Sequence, residues 1–193
     1  MVKNSPIFKS ENEIKSFLIE LFDAAIASSD PHFTMPAYLP KPPLGRTIVV
    51  GAGKAACQMV SVLEAFWPKT LEGLVIVPYG YTKKQSSKIR IAEAGHPIPD
   101  SAGNSATHQI LELVSGASED DLVICLISGG SSSLLSLPCP GVTADEKAQI
   151  HTSLLKCGAD ISEINCVRRH LSAVKDGRLA VAASPAQVLT FLI

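Results

Sequence analysis

Charge is scarce in this sequence. Of its 193 residues only 18% are Asp, Glu, Lys or Arg, and the signs nearly cancel, 17 basic against 18 acidic. A global electrostatic grip on nucleic acid or on an anionic membrane therefore has no support in the composition. No apolar run approaches the about 18 residues that a membrane span needs, and Met1-Val2-Lys3-Asn4-Ser5-Pro6 lacks the apolar segment of a secretory signal. Cysteine pairing is missing as well. Cys57, Cys125, Cys139, Cys157 and Cys166 form no CxxC and have no His partner at zinc spacing, so they read as reduced thiols of a cytoplasmic protein. What is plentiful is apolar matter: 46% hydrophobic residues suffice for a real core and exclude wholesale disorder. At about 150 residues per domain, the length suggests one domain, or one and a fragment.

Short apolar runs alternate with helical patterns. Ser10-Glu11-Asn12-Glu13 is a capping box, and Ile14, Phe17, Leu18, Leu21, Phe22, Ala25 and Ile26 follow at helical spacing, predicting an amphipathic helix that ends near Ser29. Residues 31 to 45 hold five prolines, which excludes regular helix or central strand there and predicts a stiff connector. Residues 1–45 are thus a helix with a Pro-rich connector, and 46–193 the main domain. Within it strands are predicted at 47–50, 74–77, 89–92, 122–127 and the terminal 188–193. Helices are predicted at 54–66, about 101–114, 143–158, from 160, and 178–183, with further capping boxes at Thr143/Glu146 and Asp160/Glu163. Strands apolar on both faces and separated by helices call for an α/β fold, a doubly wound and mostly parallel sheet covered on both sides. The apolar final run Val188–Ile193 and the low charge both predict surface meant to be covered.

In such a sheet ligands bind beyond the carboxyl ends of the strands. Gly51-Ala52-Gly53-Lys54-Ala55-Ala56 occupies one such turn; its glycines, the helix start behind it and Lys54 suit a phosphate or carboxylate, while the alternative is a tight turn with a solvated lysine. The string fits the dinucleotide pattern G-x-G-x-x-A, yet the next strand ends in Val77-Pro78-Tyr79-Gly80 without the ribose-binding acid, and Glu72 precedes that strand. Ser128-Gly129-Gly130-Ser131-Ser132-Ser133 is the second anion-suited turn, with a flexible polar turn as the alternative. Gly95-His96-Pro97-Ile98-Pro99-Asp100 holds His96 and Asp100 near the same strand ends, Asp100 reading first as a helix cap. Asn165, Arg168 and Arg169 lie off the apolar stripe of their helix and, with Lys175, suit an anion clamp or simply a solvated face. His32, His108 and His151 have no constellation around them.

Taken in order, Val49-Val50-Gly51-Ala52-Gly53-Lys54-Ala55, Gly95-His96-Pro97, Ser128-Gly129-Gly130 with Leu134-Leu135, and Ile164-Asn165 through Arg168, His170-Leu171-Ser172 and Lys175 to Gly177-Arg178-Leu179-Ala180 resemble the N-terminal part of the glycerate 2-kinase family, long labelled hydroxypyruvate reductase. The resemblance implies ATP and Mg²⁺ as cofactors, transfer of a phosphoryl group to the 2-hydroxyl of D-glycerate, and a Rossmann-like domain joined by a smaller second domain across an active-site cleft. It implies a catalytic Lys54 and ligand-holding roles for Gly51, Gly53, His96, Ser128, Gly129, Gly130, Ser131, Ser132, Asn165, Arg168 and Lys175, with no metal ligand among these residues. The family pattern departs at Ser131 and Asp176, where it usually has glycine, and at Ser133, where it has alanine. If the third position of the Ser-Gly-Gly turn needs a positive φ, Ser131 costs about 1 kcal/mol or more. Because the family's chain continues past residue 193, the domain reads as truncated, needing the missing C-terminal part for a complete cleft, and leaves a homo-oligomer open. The alternatives are an NAD(P)-dependent hydroxypyruvate reductase and a non-catalytic truncated product. No nucleic-acid or membrane partner is expected.

Overall fold

A computed structural model of the chain describes residue 8, residues 10–82 and residues 88–193. The reading of Met1–Pro6 falls outside these. The apolar runs form one five-stranded, all-parallel sheet: β1 Thr47–Ala52, β2 Leu71–Pro78, β3 Ile89–Ala94, β4 Leu122–Ile127 and β5 Gln187–Leu192, in the order β3-β2-β1-β4-β5. The chain therefore steps outward from β1 to β3, then crosses back to lay β4 on the other side of β1. Between β1 and β4 the direction of winding reverses, and there the turns leaving the two strands diverge.

The helices are α1 Glu11–Ser29, α2 Pro31–Thr34, α3 Ala56–Phe66, α4 Ser101–Ser115, α5 Ser131–Leu134, α6 Ala144–Lys156, α7 Ile161–His170 and α8 Arg178–Ala182. Both sheet faces are covered, which is why β1 and β4 are apolar apart from Thr47 at the start of β1. Successive side chains of a strand point to opposite faces. Ile48, Val50 and Ala52 of β1 accordingly join Ala106, Ile110 and Val114 of α4, while Val49 joins Met59, Val60 and Leu63 of α3. Truncating a fully buried member such as Leu63 to alanine would cost about 2 to 5 kcal/mol.

Where β1 and β4 begin, they are clamped together. The Asp121 carboxylate, 4% exposed, accepts the Arg46 amide at 2.6 Å, the Arg46 guanidinium at 2.8 Å and the Ser118 amide at 2.9 Å. The Arg46 guanidinium holds this carboxyl well below the usual carboxylate range and is itself raised by it.

Several expectations are corrected. The 31–45 stretch contains α2 and a 3-10 turn, Pro36–Tyr38, because Pro31 sits at the first helical position, where its missing N–H costs nothing and Asp30 caps the His32 amide at 2.9 Å. The helix predicted from residue 54 starts at Ala56, since β1 continues through Gly51 and Ala52. Glu72 lies inside β2, paired with Arg46 at 3.3 Å, not before it. The apolar stripe of α1 is not buried: Leu18, Phe22 and Ile26 are exposed. β5 is likewise half open, with Leu192 77% exposed. The capping boxes of α6 and α7 form as expected.

Candidate functional site

The turns after β1 and β4 lie side by side and are bonded to one another. Ser128 donates its amide to Ala52 O at 3.1 Å, Lys54 its amide to Gly129 O at 2.9 Å, and Ala55 its amide to the Ser128 hydroxyl at 3.0 Å. Gly53 donates to Ile76 O and Ala56 to Gly53 O. The amides of residues 53 to 56 are all committed within the chain, so the backbone of this turn offers no cradle to a phosphate or a pyrophosphate. Its glycines serve close approach instead: a Cβ at Gly51 would meet the Leu126 carbonyl, and one at Gly53 the Ser128 hydroxyl. What the turn presents to a ligand is the exposed Lys54 side chain.

In the second turn the left-handed residue is Gly130, with φ 92°, and Ser131 begins α5 in helical conformation. The strain expected at Ser131 therefore does not arise. Its counterpart does at Asp176, with φ 59°, the only non-glycine at positive φ among the described residues. A Cβ at Gly130 would come within 2.9 Å of His96 Nε2 and 3.7 Å of Lys54 Cγ. Lys54, His96 and Gly130, which leave the ends of β1, β3 and β4, thus meet at the reversal point of the sheet. The amides of Gly129 and Gly130 carry no hydrogen bond within the chain among the described residues.

Asp100 caps α4 by accepting the Gly103 amide at 2.9 Å and also accepts the Tyr79 hydroxyl at 2.7 Å. Burial pushes its carboxyl up, but these hydrogen bonds, with one from the Gly95 amide, outweigh that and leave it lowered. Glu93 on β3 accepts the amides of Gly80 and Thr82, each at 3.2 Å, and so holds the turn after β2. Both carboxylates near the end of β2 are thereby engaged.

On the far side of the Ser128–Ser133 turn the charge is positive. Lys175 donates to Ser132 O at 2.7 Å and to Ser132 Oγ at 2.8 Å; Arg168 reaches the same hydroxyl at 3.4 Å and Asn165 Oδ1 at 3.5 Å. Lys147 donates to Leu137 O at 3.1 Å and Ser136 Oγ at 3.4 Å. Burial, then the neighbouring Lys147 and Arg168, pull the Lys175 ammonium down to about 8. Lys147 and His151 are lowered as well, chiefly by burial and then, against Lys147's attraction to Cys139, by Arg168. Asn165 is exposed on α7 and touches only Arg168 in this group.

Lys147 and Ser136 are not singled out by the sequence, and the reading of His151 as a histidine with no constellation is corrected, since it lines a recess with Lys147, Arg168 and Lys175. The signal was there: Lys147, Ile150, His151 and Leu154 repeat at helical spacing on α6, and all four line one recess with Arg168 and Lys175. Among the described residues no three His, Cys, Asp or Glu side chains gather as a metal site, and no helix is long and apolar enough to cross a membrane.

Comparison with known proteins places these features in context. A family described as a domain of unknown function, DUF4147, matches residues 17–193. A putative hydroxypyruvate reductase of Agrobacterium vitis is 46% identical over 93% of this chain and 41% of its own length. The D-glycerate 2-kinase of Thermotoga maritima is 40% identical over 93% of this chain and 43% of its own. A crystal structure of glycerate kinase from Thermotoga maritima superposes with a TM-score of 0.85 at 38% identity, covering 94% of this chain and 44% of that one. The chain therefore spans well under half the length of the relatives it matches.

Proposed function

The chain belongs to the DUF4147 family, and on that premise we propose that it forms the nucleotide- and substrate-binding part of a D-glycerate 2-kinase. The reaction is transfer of the γ-phosphoryl group of ATP to the 2-hydroxyl of D-glycerate, releasing ADP, 2-phosphoglycerate and a proton. The observation that carries this reading is the meeting of Lys54, His96 and Gly130 at the reversal point of the sheet, with further cations across the Ser132 turn. A phosphoryl group in flight spreads negative charge over its oxygens, and fixed donors aimed at that charge are the main catalytic resource for this chemistry. Lys54 supplies a full charge, the Gly129 and Gly130 amides supply directed N–H groups, and His96 supplies a ring nitrogen beside them.

Mg²⁺ takes hard oxygen ligands, usually including a carboxylate. The side chains at this cleft are cations and hydroxyls, and Asp100 is spent on Tyr79 and the α4 cap. These residues do not fit a Mg²⁺ site of their own, and none of the roles assigned here depends on the ion.

Hydroxypyruvate reduction is the second reading, favoured by the name of the Agrobacterium vitis relative. It would need backbone donors for a pyrophosphate and a free acid for a ribose. The amides of residues 53 to 56 are committed, and Glu93 and Asp100 are engaged.

The deciding experiment incubates this chain, and a longer form of its relatives' length, with ATP, Mg²⁺ and D-glycerate. ADP and 2-phosphoglycerate are expected from the longer form, with little turnover by the 193 residues alone. NADH oxidation with hydroxypyruvate and no ADP would replace the kinase reading by the reductase.

A further inference from the structure

A recess of about 40 Å³ lies on the far side of the Ser132 turn from Lys54. Its cations come from three elements: Lys147 from α6, Arg168 from α7, and Lys175 from the segment between α7 and α8. His151 stands one turn after Lys147. No acid lines the recess among the described residues. The acids closest in sequence are occupied elsewhere, Glu146 and Glu163 in capping boxes and Asp176 facing Arg169 at 4.0 Å.

Like charges brought together in a half-buried place repel, and the apolar Ile150 and Leu171 beside them reduce their hydration. Such a cluster is stabilised when an anion joins it. The cations also keep donors in reserve: Lys175 spends two of its three N–H groups on Ser132, and Lys147 spends two on Leu137 and Ser136. Size then selects among anions. The recess is small, and a flat three-atom carboxylate enters it more readily than a tetrahedral five-atom phosphate.

We propose that this recess is a carboxylate subsite, in which a small hydroxy acid sets its carboxylate among Lys147, Arg168 and Lys175 with the Ser132 and Ser136 hydroxyls beside it. The identity of the acid rests on the kinase reading; the carboxylate chemistry does not. Ser132 in the recess and Gly130 beside Lys54 are two residues apart on one turn, at most about 7 Å of backbone. The recess and the Lys54 turn are thus joined by one short stretch of backbone.

The depressed ammonium of Lys175 adds a signature. A bound carboxylate favours its charged form, so binding takes up a proton near pH 8 and weakens as pH rises past it. The groups facing Lys175 are Lys147 and His151 of α6 and Arg168 of α7, with Cys139 facing Lys147 from the preceding loop, while α5 contributes only hydroxyls.

Titration calorimetry on the 193-residue chain tests this with D-glycerate, D-lactate and inorganic phosphate as separate probes, on the wild type, Lys147→Met and Lys147→Arg. Both acids are expected to bind at pH 7, more tightly than phosphate and less tightly at pH 9. Lys147→Met should weaken both by about tenfold, a typical loss for one charged hydrogen bond, while Lys147→Arg retains binding. Melting of each variant without ligand separates lost binding from lost folding. Absence of acid binding, tighter binding of phosphate, or acid binding unmoved in a folded Lys147→Met would overturn the subsite. Acid binding without any ADP formation by the longer form would instead keep the subsite and remove the kinase reading.

Discussion

The hydroxyl of Ser128 caps a helix that it does not belong to. It accepts the Ala55 amide at 3.0 Å across 73 positions of sequence, where Ala55, the residue preceding α3, has no side-chain acceptor of its own. One serine at the end of β4 thus fixes the start of α3 and holds the Lys54 turn against the Gly129 turn.

Ser128→Ala should therefore cost about 1 kcal/mol, the usual value of a lost helix cap. Urea unfolding measures it. An unchanged midpoint would show that the Lys54 and Ala52 backbone bonds hold the turns without the hydroxyl.

Gly130→Ala should cost more than its left-handed φ alone, about 1 kcal/mol, because the new Cβ meets the His96 ring at 2.9 Å. His96→Ala in the same chain should return the steric part of the loss. A double-mutant cycle reads the coupling, and strict additivity would separate the two residues.

Lys54 is exposed, so Lys54→Ala should leave stability within about 0.5 kcal/mol. ADP release by the longer form should nonetheless fall by about a hundredfold or more, as for removal of a charge-stabilising donor. Equal turnover would remove Lys54 from the mechanism.

Asp121 sets an acid limit. Its carboxyl is lowered in the fold, first by the Arg46 side-chain hydrogen bond, so the unfolded chain binds the proton more readily. The stabilisation is complete above the unfolded value of about 3.9 and is lost as pH falls further. Asp121→Asn should remove about 2 to 4 kcal/mol at pH 7, since it breaks a buried charged network, and should flatten the loss of stability below pH 4. Urea midpoints between pH 3 and pH 7 report both.

Asp176→Gly should stabilise the chain by about 1 kcal/mol, because φ 59° is strained for an aspartate and free for glycine. The Arg169 contact it removes is long, at 4.0 Å, and both side chains are about half exposed, so it offsets little. Thermal melting decides the sign.

The fold was legible because it follows from local chemistry. Strands such as Leu122–Ile127 are apolar on both faces, and the boxes at Thr143 and Asp160 carry their own caps. The site was legible only as a set of turns. Nothing near Gly53 in sequence indicates that its amide and those of its neighbours bond to Ile76, Ser128 and Gly129, since these partners arrive only when the sheet assembles. Likewise the glycine of the Ser-Gly-Gly turn that takes positive φ depends on how α5 starts, and placing Lys147 beside Lys175 requires the docking of α6 on α7.

The unburied α1 has a consequence in time. None of its 19 residues is buried; besides its own backbone ladder it has surface contacts such as Ser10, which accepts the Glu13 amide at 3.2 Å, and Phe8, whose ring lies 5.1 Å from that of Phe17. A helix of that length is close to marginal in water when little packs against it. Its amides can exchange hydrogen for deuterium by fraying alone, while those of β1 and β4 must wait for the whole sheet to open. The longest helix among the described residues is thus the one expected to lose protection before the sheet does.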